Sequence, residues 1–132
     1  MNAERVCYVD SSAIVKLVVR ESESAALRRY LRGRSLVSSA LARVEVTRAV
    51  MPHGARTLRT AREVLSRIEI VRINAKVLSR AAAMEPADLR TLDAIHLATA
   101  SLFGESLHRF VCYDGRLASA ANAGIWTVVS PD

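Results

Sequence analysis

Short apolar runs alternate with longer stretches of mixed character along this chain. Val6–Val9, Leu36–Ser38, Ile68–Ile73, Phe110–Tyr113 and Trp126–Val129 are rich in β-branched and aromatic residues, and they predict strands. The intervening stretches are rich in Ala, Leu and Arg and predict helices. These fall at about Ser12–Val19, Ser24–Leu31, Ala40–Met51, Thr57–Arg67, Ala75–Met84, Leu92–Phe103 and Gly115–Ala123. Pro52 and Gly54 separate the third helix from the fourth. Asn74 and Thr91 are candidate N-caps for the fifth and sixth. Strands alternating with helices predict an α/β fold whose parallel sheet is covered on both faces. Sites in such sheets lie at the carboxyl ends of the strands.

Four acids interrupt this apolar pattern. Asp10 ends the first strand run, and Asp114 ends the run Phe110–Tyr113. Glu45 lies between Val44 and Val46, and Asp93 opens Ala94-Ile95-His96-Leu97-Ala98. A buried carboxylate is costly unless a cation or hydrogen-bond donors compensate it. Four that converge would suit a hard divalent cation and metal-dependent phosphoryl transfer. Each acid also has a plainer reading. Asp10 and Asp114 could cap the helices that follow them. Glu45 could pair with Arg48, and Asp93 could favour a helix N-terminus. Ser12 is placed to turn its hydroxyl back toward the site. His96, three residues after Asp93, is either a metal ligand or a hydrogen-bonded core residue that supports the site. His53 and His108 read as loop histidines without partners.

The length of 132 residues predicts a single domain, residues 1–132. Hydrophobic residues make up 51%, which excludes general disorder. No apolar stretch reaches the ~18 residues a membrane span needs. The start, Met1-Asn2-Ala3-Glu4-Arg5, lacks the features of a signal peptide, and a cytoplasmic enzyme is expected. Cys7 and Cys112 are the only cysteines and read as buried free thiols.

The net charge of +6 comes almost wholly from arginine, since Lys16 and Lys76 are the only lysines. Arginine's planar fork suits phosphate, and a basic domain with a few buried acids suits a polyanionic substrate. Arg28, Arg29, Arg32 and Arg34 form one group, and Arg56, Arg59 and Arg62 another. Either could follow an RNA backbone or simply form a solvated face. Glu21 and Glu23 read as solvated acids of a polar turn.

Taken together, these segments resemble the PIN-domain ribonucleases, specifically the VapC toxins of bacterial toxin–antitoxin pairs. The matching stretches are Val9-Asp10-Ser11-Ser12-Ala13-Ile14-Val15-Lys16-Leu17, Glu45, Leu92-Asp93-Ala94-Ile95-His96-Leu97-Ala98-Thr99-Ala100, and Phe110 through Leu117 with Gly124 to Val129. The resemblance implies a three-layer α/β/α sandwich with a mostly parallel sheet of about five strands. It implies that Asp10, Glu45, Asp93 and Asp114 hold Mg²⁺ or Mn²⁺, with Ser12 as the site hydroxyl. It also implies RNA hydrolysis by a metal-activated water. The partners implied are a cognate antitoxin and a second copy of the chain, in a homodimer that becomes a heterotetramer or larger assembly with antitoxin. Cys112 departs from the Thr or Ser common two residues before the last acid. Two other readings stand beside this one. One is an inactive PIN-like RNA-binding module. The other is an aspartate-nucleophile phosphatase, which would normally carry a second Asp where Ser12 stands.

Overall fold

The computed structural model describes residues 5–132; the remainder of the start, residues 1–4 with Glu4, lies outside the described residues. Among them, five strands form one wholly parallel sheet in the order β3-β2-β1-β4-β5. The strands are β1 (Val6–Val9), β2 (Ser35–Ser39), β3 (Glu69–Val71), β4 (Leu107–Val111) and β5 (Val128–Val129). The helices are α1 (Ser11–Val18), α2 (Ser24–Leu31), α3 (Leu41–Val50), α4 (Ala55–Ser66), α5 (Ala75–Ala82), α6 (Thr91–Ser101) and α7 (Gly115–Ala123).

The two-residue period of a strand divides the core into two layers. Cys7 and Val9 of β1, with Val111 of β4, pack against α1, α2, α3 and α4. Tyr8 of β1 and Phe110 of β4 face the other way and meet Leu97 of α6 and Leu117 of α7. Tyr8 stacks on Phe110, with ring centroids 5.0 Å apart. The predicted three-layer architecture is therefore observed.

The chain runs outward from β1 through β2 to β3, then returns to place β4 on the other side of β1. This reversal opens a crevice at the carboxyl ends of β1 and β4, where α/β sheets place their ligand sites. The backbone closes the two strands together there, as the Asp10 N–H donates to the Val111 carbonyl at 3.2 Å.

Local signals explain the boundaries. Asn74 caps α5 by accepting from the Val77 N–H at 3.0 Å. Thr91 is not a cap: Arg90 holds that position, and Thr91 is the first residue of α6. A short 3₁₀ turn at Met51–His53 and Gly54, at φ 95°, separate α3 from α4. A side chain would strain that backbone conformation. Strand β5 is shorter than the run Trp126–Val129, because only Val128 and Val129 pair with β4. His108 lies on β4, with its ring nitrogen 3.3 Å from the Arg109 guanidinium, rather than in a loop. Glu21 and Glu23 are not merely solvated; both pair with Lys16, at 3.3 and 3.1 Å.

Candidate active site

Asp10 is a helix cap and a buried acid at once. Its Oδ1 accepts from the Ala13 N–H at 3.0 Å, which anchors the start of α1. The Ser12 hydroxyl donates to Asp10 at 2.7 Å and accepts from the Tyr113 N–H at 2.9 Å, so it ties the acid to the segment after β4. The Cys112 thiol donates to Asp10 Oδ2 at 3.2 Å. Asp10 is only 3% exposed. Burial pushes its carboxyl above the ordinary value, while the donors from Ser12 and Ala13 pull the other way. Among the described residues no ion pair reaches Asp10.

Glu45 reaches the crevice from α3. The Ser11 hydroxyl donates to its Oε1 at 2.6 Å, and His96 Nε2 lies 2.7 Å from the same oxygen. On its other side, His96 Nδ1 is 2.6 Å from the Tyr8 hydroxyl. A carboxylate only accepts, so Nε2 carries the proton that faces Glu45. In the neutral ring Nδ1 then accepts from the phenol. Burial works to raise the Glu45 carboxyl, but the hydrogen bonds from His96 and Ser11 outweigh it and hold the group below its ordinary value. The alternative partner Arg48 makes no ion pair with Glu45.

Asp93 sits in the first turn of α6, and Asp114 caps α7 by accepting from the Arg116 and Leu117 N–H groups at 3.0 and 3.2 Å. One guanidinium spans the two acids. Arg90 donates through Nε to Asp93 at 2.9 Å and through Nη2 to Asp114 at 3.4 Å. Asp114 in turn acts electrostatically on Glu45. Arg90 thus joins Asp93 to Asp114, the Cys112 thiol lies between Asp10 and the Asp114 carbonyl, and His96 joins Glu45 to Tyr8.

Sequence reasoning missed three residues of this network. Ser11 adjoins Asp10 yet serves Glu45. Tyr8 shares the strand face of Asp10 two residues away. Arg90 stands three residues before Asp93, the same helical spacing that singled out His96 after it. The spacing was a usable signal for Arg90; nothing local marked Ser11 or Tyr8.

The donor chemistry suits a hard divalent cation. The acids offer oxygen donors, and the thiol beside Asp10, Cys112, is pushed by burial well above its ordinary value and stays protonated. A deeply buried Asp10 held only by neutral donors is the feature a cation would compensate. The acids do not yet form a cage: among the described residues no three His, Cys, Asp or Glu side chains form a group able to hold an ion as placed. The carboxylates are instead engaged by protein groups, with Asp93 and Asp114 sharing Arg90.

Known proteins share this fold. The PIN domain family matches residues 7–122. Ribonuclease VapC46 of Mycobacterium tuberculosis is 50% identical, over 94% of this chain and 96% of the relative. Ribonuclease VapC35 of the same species is 42% identical over the same shares. Among solved structures, a toxin–antitoxin complex from Klebsiella pneumoniae superposes with a TM-score of 0.70 at 24% identity, covering 96% of this chain and 98% of that one. Mycobacterium tuberculosis VapC20, described as a sarcin–ricin loop cleaving toxin, gives 0.71 at 15% identity, covering 86% and 94%. The two structures share the fold, and the close relatives share the sequence that builds it. The chain is a PIN domain and belongs to the VapC family.

Proposed function

We propose that this protein is a metal-dependent endoribonuclease, the toxin of a toxin–antitoxin pair. The observation that supports the reading is Asp10, buried at the end of β1 without an ion-pair partner among the described residues and linked through the Cys112 thiol to the Asp114 carbonyl. Kinship with proteins named ribonucleases supplies the substrate class.

Asp10, Glu45, Asp93 and Asp114 would hold Mg²⁺, or Mn²⁺ in its place. Bound there, the ion supplies Lewis acidity to the attacking water and to the scissile phosphate. The chain's own groups prepare the site. Ser12 fixes the Asp10 carboxylate between β1 and the segment after β4. His96 and Ser11 aim Glu45 into the crevice, and Tyr8 holds the His96 ring. Asp10 after β1 and Asp114 after β4 would then lie on one side of the substrate. Hydrolysis by water leaves a 5′-phosphate and a 3′-hydroxyl, and it needs no ribose hydroxyl as nucleophile.

Antitoxin binding has a candidate surface. Leu17, Leu31, Val64 and Ile68 floor a cleft of about 370 Å³ between α1, α2 and α4, and Arg28, Arg32 and Arg67 line it. An amphipathic segment with acidic residues fits such a surface. We assign the single domain to a homodimer that joins antitoxin in a heterotetramer or larger complex, and to the cytoplasm. Among the described residues no helix is long and apolar enough to cross a membrane.

The test is cleavage of end-labelled RNA with Mg²⁺, Mn²⁺ or EDTA, followed by end-group analysis. Products with 5′-phosphates that form only with metal support the reading. Binding without cleavage would leave the inactive RNA-binding module instead.

A further inference from the structure

Beside Asp93 lies a cleft of about 470 Å³ that the mechanism above does not use. Its walls include Pro86, Leu89, Arg90 and Asp93 on one side and Arg116 and Ala120 of α7 on the other. This volume falls within the roughly 300–1,000 Å³ of small-molecule sites. It opens directly onto Asp93, so whatever fills it adjoins the reacting centre.

Two guanidinium groups line this cleft, and they differ in state. Arg116 has no ion pair among the described residues; only its backbone N–H is engaged, by Asp114. Arg90 is tied to both Asp93 and Asp114. Yet the Arg90 side chain is 49% exposed and its second contact is long, at 3.4 Å. It can leave the acids without unpacking any core.

One guanidinium between two carboxylates leaves a net negative charge. A divalent cation compensates that pair better and repels the guanidinium. The anion then within reach is an RNA phosphate, whose oxygens match the guanidinium fork.

We propose that this cleft receives the nucleotide next to the scissile phosphate, and that Arg90 serves two anions in turn: the Asp93–Asp114 pair in the free site, and an RNA phosphate once a divalent cation neutralises that pair. The proposal rests on the nuclease reading above. Arg116 binds phosphate in either state. Pro86, Leu89 and Ala120 offer an apolar wall to the ribose or base. Among the described residues no aromatic ring lines the cleft. Backbone contact therefore outweighs base reading here, and this subsite tolerates many sequences.

Two measurements test this. In Mn²⁺ calorimetry without RNA, Arg90→Gln binds the ion roughly two- to five-fold tighter than the wild type, the range an exposed ion pair commands. Arg90→Lys keeps the charge and stays near the wild type. Unchanged or weaker binding by Arg90→Gln overturns the exchange and leaves Arg90 a clamp on the start of α6.

The second measurement uses a fluorescein-labelled random ribo-octamer pool, in Ca²⁺ and in EDTA, over about 50–200 mM salt. Gels confirm that the probe stays intact. Arg116→Gln weakens binding in both buffers and lowers the salt slope by about 0.7, one single-strand phosphate contact. Arg90→Gln does so only with Ca²⁺. An Arg90→Gln loss of equal size in both buffers overturns the exchange. No change in affinity or slope for Arg116→Gln overturns the subsite. If the wild type neither binds Mn²⁺ nor cuts RNA, the nuclease reading fails, and the subsite falls with it.

Discussion

The Tyr8 hydroxyl and His96 Nδ1 meet at 2.6 Å in the core, and the opposite nitrogen of the same ring faces Glu45 at 2.7 Å. A fully buried strand residue thereby fixes which nitrogen carries the proton, and the ring passes that orientation to an acid at the crevice. Tyr8→Phe removes the donor and leaves a buried nitrogen unsatisfied. The expected loss is about 1–3 kcal/mol in denaturant unfolding. The fraction of ring with its proton on Nε2, read by ¹⁵N NMR, should fall with it. His96→Ala should weaken Mn²⁺ binding about 10- to 100-fold, as loss of a residue that orients a ligand does. Unchanged Mn²⁺ affinity would leave the chain of Tyr8, His96 and Glu45 a purely structural contact.

Asp93→Asn and Glu45→Gln each remove one carboxylate and keep its shape. Metal-dependent chemistry should then fall by at least about a hundredfold, because charge stabilisation at the phosphate is worth several kcal/mol. Folding should survive, since the Arg90 contact that Asp93→Asn alters is half exposed and contributes little. Cleavage of labelled RNA beside a circular dichroism spectrum checks both parts. Full activity of either variant, or of the wild type in EDTA, would refute the metal model.

Asp10 makes a prediction about pH. Its folded-state carboxyl titrates above the ordinary value because it is buried. Between the unfolded and folded values the folded protein binds more protons, so stability falls as pH rises through that window. Above that window the full burden of the buried charge is present. Asp10→Asn keeps an oxygen acceptor for the Ala13 N–H and removes the charge. In EDTA at pH 7 its Tm should exceed that of the wild type by a few degrees, on the order of 1 kcal/mol. The gap should close as pH falls and Asp10 takes its proton. A gap independent of pH would mean that burial of charge is not its cause.

The fold was legible because its code is repetitive. Strand runs such as Val6–Val9 are too short and too β-branched to be helices, and the helical stretches between them demand a parallel sheet. The positions of Asp10 and Asp114 at strand ends followed from that alone. Hydrogen-bond partners were less legible, because they join residues far apart in sequence. Glu45 could be read as the partner of Arg48, three residues on. Its actual partners, Ser11 and His96, are 34 and 51 residues away. The capping reading of two acids was borne out, and it does not use up either carboxylate. Asp10 and Asp114 cap helices through one oxygen and leave the other turned toward the crevice, to Cys112 and to Arg90. Boundaries slipped where pairing decides them, as at β5.

Cys7 and Cys112 should be reduced and slow to react. Each is buried, 1% and 0% exposed, and burial raises both thiols above their ordinary value. They pack into opposite faces of the sheet, so no disulfide can join them. Thiol-reagent kinetics on native and unfolded protein should differ by orders of magnitude. Cys112→Thr replaces a weak donor to Asp10 with a hydroxyl. Mn²⁺ affinity should hold or rise a few fold, about 1 kcal/mol at most. A disulfide found by mass spectrometry in native protein would contradict the two-layer placement.

The cleft between α1, α2 and α4 carries the last prediction. Of the apolar residues that the sequence offers on the first two helices, Ile14 and Leu27 are fully buried and serve the core. Short helices spend that much of their face on the sheet. Leu17 and Leu31 line the cleft, and Val64 and Ile68 complete its floor. Arg28 lies against the Leu17 carbonyl at 3.3 Å, and neither Arg28 nor Arg32 has an acidic partner among the described residues. Both are exposed and free to pair with acids on a docked segment. Charge reversal at the two, Arg28→Glu with Arg32→Glu, places like charges opposite such a segment. Affinity for a cognate antitoxin should fall at least about tenfold, measured by surface plasmon resonance at two salt concentrations. RNA cleavage by the free toxin should change little, because the cleft is lined by none of the four acids or their partners. An unchanged antitoxin affinity would move the docking surface, and the exposed Arg56, Arg59 and Arg62 of α4 would be reversed next.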